Sequence, residues 1–264
     1  MKYFDQHVHS YYSYDSDQPI KEYLDKTREL GLSYFVLTDH YDFNYQDTGK
    51  DNEFDIDKRK KELDELQKDY CDIKILNGIE IGYKKKEVDR IKKIINTHDF
   101  DIVNLSVHDL GIIDYYFPEY YQRFGIKKVL TDYYLTQLDM VRNFDDYDVL
   151  CHIDFAFKTA YLIDNSISIK EYEDYIIEIM KEIIKKDKTF ELNVKVQSFL
   201  PVEHTKYLLK LYKDLGGKNV TLSSDAHKVN RLNNQFDKYI VLIKEAGFDH
   251  LNYFIKRNRY NISI

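Results

Sequence analysis

The sequence has no tryptophan, two cysteines and three prolines in 264 residues. Two isolated thiols, Cys71 and Cys151, cannot supply the disulfide framework that staples small secreted domains. No apolar run approaches the roughly 20 residues of a bilayer span, and Met1-Lys2-Tyr3 opens without a hydrophobic leader. A basic stripe is missing too. The 39 Lys and Arg are outnumbered by 46 Asp and Glu, so the counterion release that drives nucleic-acid binding has no source. A cytoplasmic protein with neither membrane nor nucleic acid as partner is the expectation. Linkers, low-complexity tracts and short-period repeats are also lacking, which leaves one domain over 1–264. The 25 tyrosines fit an A+T-rich coding bias and carry little functional information.

What the chain does have is apolar runs at the spacing of βα units. Strands are predicted at Tyr3–Val8, Tyr34–Thr38, Ile73–Leu76, Ile102–Val107, Val149–Cys151, Thr189–Leu192 and Val220–Leu222. Helical patterns alternate with them at Ile20–Leu30, Phe54–Tyr70, Glu87–Thr97, Val129–Phe144, Ile169–Lys186, His204–Leu215 and Leu232–Ala246. Pro19 precedes the first helix, and Gly31, Gly216-Gly217 and Gly247 stand where C-caps belong. Such alternation predicts parallel pairing and, with chemistry on most strands, a closed α/β barrel. Asp109–Gly125, rich in Tyr and Phe, is long for a βα loop; a surface excursion and a substrate lid are both open readings.

The chemistry sits at the ends of the runs. His7 and His9 alternate on one face of an extended segment, with Asp5 able to orient a ring from behind. Later runs end in Thr38-Asp39-His40, Gly78-Ile79-Glu80, Ser106-Val107-His108, Cys151-His152-Ile153-Asp154 and Ser223-Ser224-Asp225-Ala226-His227. One histidine at a strand end is ordinary, since hydrogen-bonded core histidines outnumber ligands. Six of the nine histidines in such positions are not ordinary, because a closed barrel brings all strand C-termini to one face. Imidazole with carboxylate suits Zn²⁺, Mn²⁺ or Fe²⁺. The groups are too many for one ion, and a carboxylate such as Glu80 can bridge a metal pair of the kind used in phosphoester hydrolysis.

The series D-x-H-x-H-S, T-D-H, G-I-E, S-V-H, C-H-I-D and S-S-D-A-H resembles the PHP (polymerase and histidinol phosphatase) superfamily. Its order and spacing are similar to the stand-alone histidinol-phosphatases over nearly the whole chain. The resemblance implies a distorted (β/α)7 barrel with two to three divalent transition-metal ions. By motif, one ion takes His7, His9, Glu80 and Asp225; Glu80 bridges to a second with His108 and His152; a third takes Asp15, His40 and His227. Family members often carry His or Glu where this chain has Asp15. The implied reaction is hydrolysis of L-histidinol phosphate in histidine biosynthesis. A metal-bridging hydroxide attacks phosphorus, and Asp225, ligand and acid at once, protonates the leaving alkoxide.

The remaining residues are expectations of lower rank. Cys151 reads as a small buried residue facing away from His152, and Asp39 and Asp154 as supports or loop caps. His98, His204 and His250 have no motif behind them. The substrate phosphate calls for a cation, and Lys158 in the loop after strand five, Lys195 beyond Asn193 and Arg123 in the long loop are candidates. Asn193 itself binds substrate or caps a loop. Where the family favours arginines soon after the fifth and sixth strand motifs, this chain has Ala160 and Gln197. Three rival readings remain: a PHP enzyme for phosphotyrosine, a nucleotide or a sugar phosphate; a non-catalytic metal-stabilised binding module; and a metal-dependent amidohydrolase. The last would carry a bridging lysine, which none of the six motifs has.

Overall fold

A computed structural model describes residues 3–264. The first half of the chain runs α1 (Ile20–Glu29), β1 (Tyr34–Leu37), β2 (His40–Asp42), α2 (Ile56–Asp69), β3 (Lys74–Gly82), α3 (Val88–Thr97) and β4 (Ile102–Ser106). An excursion follows, with β5 (Asp109–Leu110), β6 (Ile113–Asp114) and α4 (Pro118–Phe124). It leads into α5 (Ile126–Asn143), β7 (Val149–Leu150), α6 (Phe155–Ile163), α7 (Glu173–Lys185), β8 (Thr189–Asn193) and the single turn α8 (Val194–Gln197). The chain ends with α9 (Val202–Asp214), β9 (Val220–Ser223), α10 (Phe236–Glu245), β10 (His250–Ile255) and β11 (Asn258–Ser263).

β1, β3, β4, β7, β8 and β9 pair in that order, all parallel, with β2 joining β3 beyond the end of β1. The sheet curls into a distorted (β/α)7 barrel. Its seventh stave is the His-bearing N-terminal segment, which does not form the expected strand Tyr3–Val8. Val8 makes one isolated parallel bridge, to Ala226. The His9 N–H donates to the Ala226 carbonyl at 2.8 Å, and the Thr38 N–H to the Val8 carbonyl at 2.9 Å. The Ala226 N–H donates to the His7 carbonyl at 3.3 Å, and side chains add to this short ladder. Thr38 Oγ1 accepts the Val8 N–H, and the Asn104 amide reaches across the barrel to the Gln6 carbonyl.

Alternation along each strand explains both ends of the barrel. On the inward face Val36, Leu76, Ile102, Val149 and Cys151 cluster with Phe254 of β10, so the N-terminal end is apolar and plugged. Two and four residues further on, the same faces carry Thr38 and His40, Gly78 and Glu80, Asn104 and Ser106. The outward face is largely apolar. Ile79, Ile81, Val103, Leu105, Leu150, Phe190 and Leu192 join one continuous core beneath the helices. Helix α7 shows the matching stripe, burying Ile176, Ile179, Met180 and Ile183 at helical spacing. Among the described residues, no helix is long and apolar enough to cross a membrane.

Several elements lay outside the sequence expectation, among them β2 and α8. The β10–β11 hairpin plugs the barrel floor, α6 occupies the expected loop after strand five, and the Asp109–Gly125 segment folds into a hairpin and α4. The pattern at Ile169–Lys186 divides into a 3-10 turn, Ile169–Tyr172, and α7.

Gly78 marks a tight point of the barrel wall. A Cβ there would lie 2.6 Å from Ile102 Cγ2 and 2.8 Å from the Leu37 carbonyl oxygen, a backbone atom that cannot swing aside. Gly78→Ala should therefore destabilise the fold by about 1–3 kcal/mol, as overpacking does. A urea unfolding curve reads this as a lowered midpoint at unchanged slope; an unchanged midpoint would contradict it.

Candidate metal centre

Glu80, on the inward face of β3, is completely buried and lies at the middle of the polar end. Its Oε2 is 2.8 Å from His40 Nδ1, 3.0 Å from His7 Nε2 and 3.5 Å from His9 Nε2. Its Oε1 is 2.9 Å from His152 Nε2 and 3.2 Å from His108 Nε2. Each oxygen thus faces its own set of imidazoles, the arrangement required of a bridging carboxylate. Asp225 Oδ1 stands 3.3 Å from His9 Nε2 and 3.3 Å from His227 Nδ1. Asp15 Oδ2 lies 2.9 Å from His227 Nε2 and 3.6 Å from His40 Nε2. All nine residues proposed as ligands come together, and His40 faces two ways, toward Glu80 and toward Asp15.

Strand alternation alone would not achieve this. Leu150 points outward and Cys151 inward, so His152 should face out again. Its φ of 22° breaks the alternation and turns it to Glu80. Cys151 therefore does not face away from His152 as expected; it too points inward, grouped with His7 and Glu191. Asp225 likewise adopts a positive φ, 51°. Non-glycine residues in this region cost about 1–3 kcal/mol each, strain that collects at functional sites.

The donor set fits divalent metal. His7 Nε2, His9 Nε2, His40 Nδ1 and Glu80 Oε2 are buried without a correctly aligned hydrogen-bond partner. Four such atoms converging on one space are costly as they stand, but they are suitable lone pairs for a cation. Burial resists ionisation of Glu80, yet His7, His40 and His108 outweigh it and hold the carboxyl well below its usual range. Burial, then the neighbouring His40 and His227, push the His9 imidazole well down, toward the neutral form that binds metal.

Behind the ligands stand residues that fix ring orientation, a role the sequence reading missed for three of them. Glu191 accepts from His7 Nδ1 at 2.7 Å, leaving Nε2 for metal. Asp42 does the same for His108 Nδ1 at 2.9 Å. It can do so because Gly82 opposite carries no Cβ, which would collide with the Asp42 carboxylate. His9 Nδ1 meets Ser13 Oγ at 3.0 Å; Ser13 donates to Asp39, which Arg59 anchors at 3.0 Å. The available signal was parity: Glu191 shares the inward face with Asn193, and Asp42 follows His40 by two. Asp5 orients no ring. It accepts from Ser224 N and Oγ and from the Asn233 N–H, tying the N-terminal segment to the loop that carries Asp225.

The expected substrate contacts fare unequally. Lys195 is on α8, not on an extended strand, and its Nζ lies 3.2 Å from Asp225 Oδ1 and 3.1 Å from His227 Nδ1. Lys158 is on α6, not in a loop. Its ammonium is buried over the Phe155 ring, 4.4 Å from the centroid, and outside the cavity lining. Burial, then Lys195, push its pKa down to about 8. Arg123 is exposed on α4, over the Phe124 ring and away from the site lining. Asn193 caps α8 by accepting the Val196 N–H, and its amide bridges Glu191 and Asp225. Asp154 accepts from Gln197 and His204, each at 2.7 Å, so Gln197 is engaged in a buried network.

Above the cluster opens a cavity of about 320 Å³, walled by Tyr14, Tyr45, Asp114, Tyr116, Phe117, Phe155 and Lys195. Larger cavities elsewhere contain none of the clustered ligands. Two outcomes are expected. Protein purified without chelator should carry more than one equivalent of transition metal by elemental analysis, and a value near zero even after reconstitution would refute the fit. Glu191→Gln, which retains shape and removes charge, should weaken metal binding about 10- to 100-fold in chelator competition.

Residues 5–195 match the PHP domain family. A histidinol-phosphatase of Lactococcus lactis subsp. lactis is 32% identical over 99% of this chain and 99% of its own. A relative from Clostridium acetobutylicum is 32% identical over 96% of this chain and 97% of its own. The crystal structure of the L. lactis histidinol phosphate phosphatase, complexed with zinc, L-histidinol and phosphate, superposes with a TM-score of 0.88 at 29% identity, covering 98% of this chain and 99% of that one. With six motifs on six staves of one barrel, the chain belongs to the PHP family and groups within it with the histidinol-phosphatases.

Proposed function

We propose that the protein is a metal-dependent phosphomonoesterase that hydrolyses L-histidinol phosphate, working in the cytoplasm as one catalytic domain. The observation that carries this reading is Glu80, its two oxygens bracketed by five imidazoles at the floor of a ligand-sized cavity. Support comes from a relative of the same fold and length that holds zinc, L-histidinol and phosphate. His7, His9, Glu80 and Asp225, then Glu80, His108 and His152, then Asp15, His40 and His227 are the three proposed ligand sets. Divalent ions held there would supply Lewis acidity to the phosphoryl oxygens and lower the pKa of a water for attack at neutral pH.

The chain's own residues do the rest. Glu191, Asp42 and Ser13 hold His7, His108 and His9 in the ligating orientation, so no ring has to reorient during reaction. Lys195, in the cavity wall, offers its ammonium donors to the phosphate. It is better sited than Lys158, which sits behind Phe155. Asp225 is the proposed acid for the leaving alkoxide. Burial raises its pKa, but Lys195 and His7 overcome that and hold it well below the usual range. This makes it a better ligand than acid, and its protonating role is the weaker of the two.

A phosphate-release screen with metal-reconstituted protein tests the reading. Histidinol phosphate should be hydrolysed with higher kcat/KM than phosphotyrosine, nucleotides or sugar phosphates; equal rates would end the substrate assignment while leaving the phosphoesterase. Lys195→Ala should raise KM for histidinol phosphate about tenfold, a cost of roughly 1.4 kcal/mol. Asp225→Asn should lose more turnover on histidinol phosphate than on p-nitrophenyl phosphate, whose leaving group needs little protonation. Equal losses would leave Asp225 as a ligand only.

A further inference from the structure

Three carboxylates line the cavity: Asp15, Asp225 and Asp114. The first two stand against histidines of the metal cluster. Asp114, at the end of β6, belongs to none of the three ligand sets and is 2% exposed. Its Oδ2 accepts from the Tyr45 hydroxyl and, at 3.1 Å, from Gln46 Nε2; its Oδ1 accepts the Tyr116 N–H at 2.7 Å. All three partners are neutral donors. A carboxylate offers about four acceptor directions, so one remains, and no ion pair meets it; the Lys158 ammonium, over the Tyr116 ring, acts on it only from a distance.

The two donors from the facing turn are held there at a cost. Asn44, Gln46 and Asp47 all adopt positive φ, 46°, 54° and 51°, without being glycine. Lys84 ties this turn to the base of the hairpin, 3.3 Å from Asp47 and 2.8 Å from Asp109. Strain in one turn and an ion-paired brace under the other together set Asp114 rigidly in the wall. A preorganised, buried, singly charged acceptor beside aromatic rings suits a compact cation.

We propose that Asp114 is a specificity-determining residue that binds the ammonium group of the substrate, with Tyr45 and Gln46 as positioning residues. The inference rests on the reading above, in which the substrate is a phosphomonoester bearing an amine. In L-histidinol phosphate the ammonium is on the second carbon from the ester oxygen, so its partner must sit in the wall close to the phosphate site. Lys195 then answers the anionic end of the substrate and Asp114 the cationic end. The rings of Tyr14, Tyr116 and Phe117 are left to pack on the imidazole.

The test compares wild type with Asp114→Asn, which still accepts from Tyr45 and Tyr116, on histidinol phosphate and on p-nitrophenyl phosphate, which has no amine. The loss in kcat/KM should be at least tenfold larger on histidinol phosphate and should appear mainly in KM. The inhibition constant of L-histidinol should rise in parallel. Tyr45→Phe, which leaves the charge and loosens its aim, should shift the same ratio in the same direction by less. Equal losses on both substrates, or none on histidinol phosphate, would overturn the inference. If wild type prefers histidinol phosphate no more than p-nitrophenyl phosphate, the substrate reading falls instead. The same variant pair compared on O-phosphoethanolamine then still decides whether Asp114 reads an ammonium.

Discussion

The barrel is organised around a buried charge, the Glu80 carboxylate. In an apolar interior an isolated carboxylate would be expensive enough to remain protonated. Here five imidazoles from four different segments converge on it, and the chain accepts unusual local structure to bring them in. Gly78 and Gly82 flank Glu80 on the same face of β3, one letting the neighbouring strands close up, the other admitting Asp42 behind His108. The N-terminal segment gives up a regular ladder to carry His7 and His9 between β1 and β9. Unpaired ring nitrogens around one oxygen make the arrangement costly until a cation shares it. Metal binding and local stability are therefore linked at this end of the barrel.

The division of labour follows strand alternation and its exceptions. The outward face is a largely apolar layer for the helices, while the inward faces of β1, β3 and β4 change from apolar to polar along the chain. Where chemistry needs a residue that alternation would misdirect, the backbone departs into positive φ, at His152 and at Asp225. Both follow the end of a strand, where no ladder bond is lost by the turn. Loops then complete the site from outside the sheet. The strained turn at Asn44–Asp47 and the β5–β6 hairpin meet through Tyr45 and Asp114, and α8 begins one residue beyond the Asn193 cap, which aims Lys195 at Asp225.

The departures from the family pattern also acquire a physical reading. Gln197 stands where the family resemblance leads one to expect an arginine, but its amide donates to Asp154 and its carbonyl accepts from Thr205, so it braces the loops after β7 and β8. Ala160 is wholly buried on α6. Neither can meet a phosphate, and the lysine whose side chain lines the cavity is Lys195, which approaches from α8. Lysine presents a point charge where arginine would present a fork, so orientation here has to come from elsewhere in the wall.

By itself, the sequence determined the alternation of strands and helices, the parallel barrel, and all nine side chains that gather at the metal centre. The first two depend on patterns of period two and 3.6, which are local and survive without coordinates; the nine ligands depend on residue types at strand ends and, for the full set with Asp15, on the resemblance of the motif series to the PHP superfamily. Only the tertiary structure decided what supports them. Glu191 reads as one polar residue in an apolar strand until His7, 184 positions away, is found 2.7 Å from it. Cys151 and His152 both face inward because of a single backbone angle that no residue type announces. Lys158 had the better claim on paper, and helix placement reversed the order, burying it behind Phe155 and opening Lys195 to the cavity. Asp114 was invisible for the same reason: its charge gains meaning only from the neutral donors and aromatic walls that distant segments bring around it.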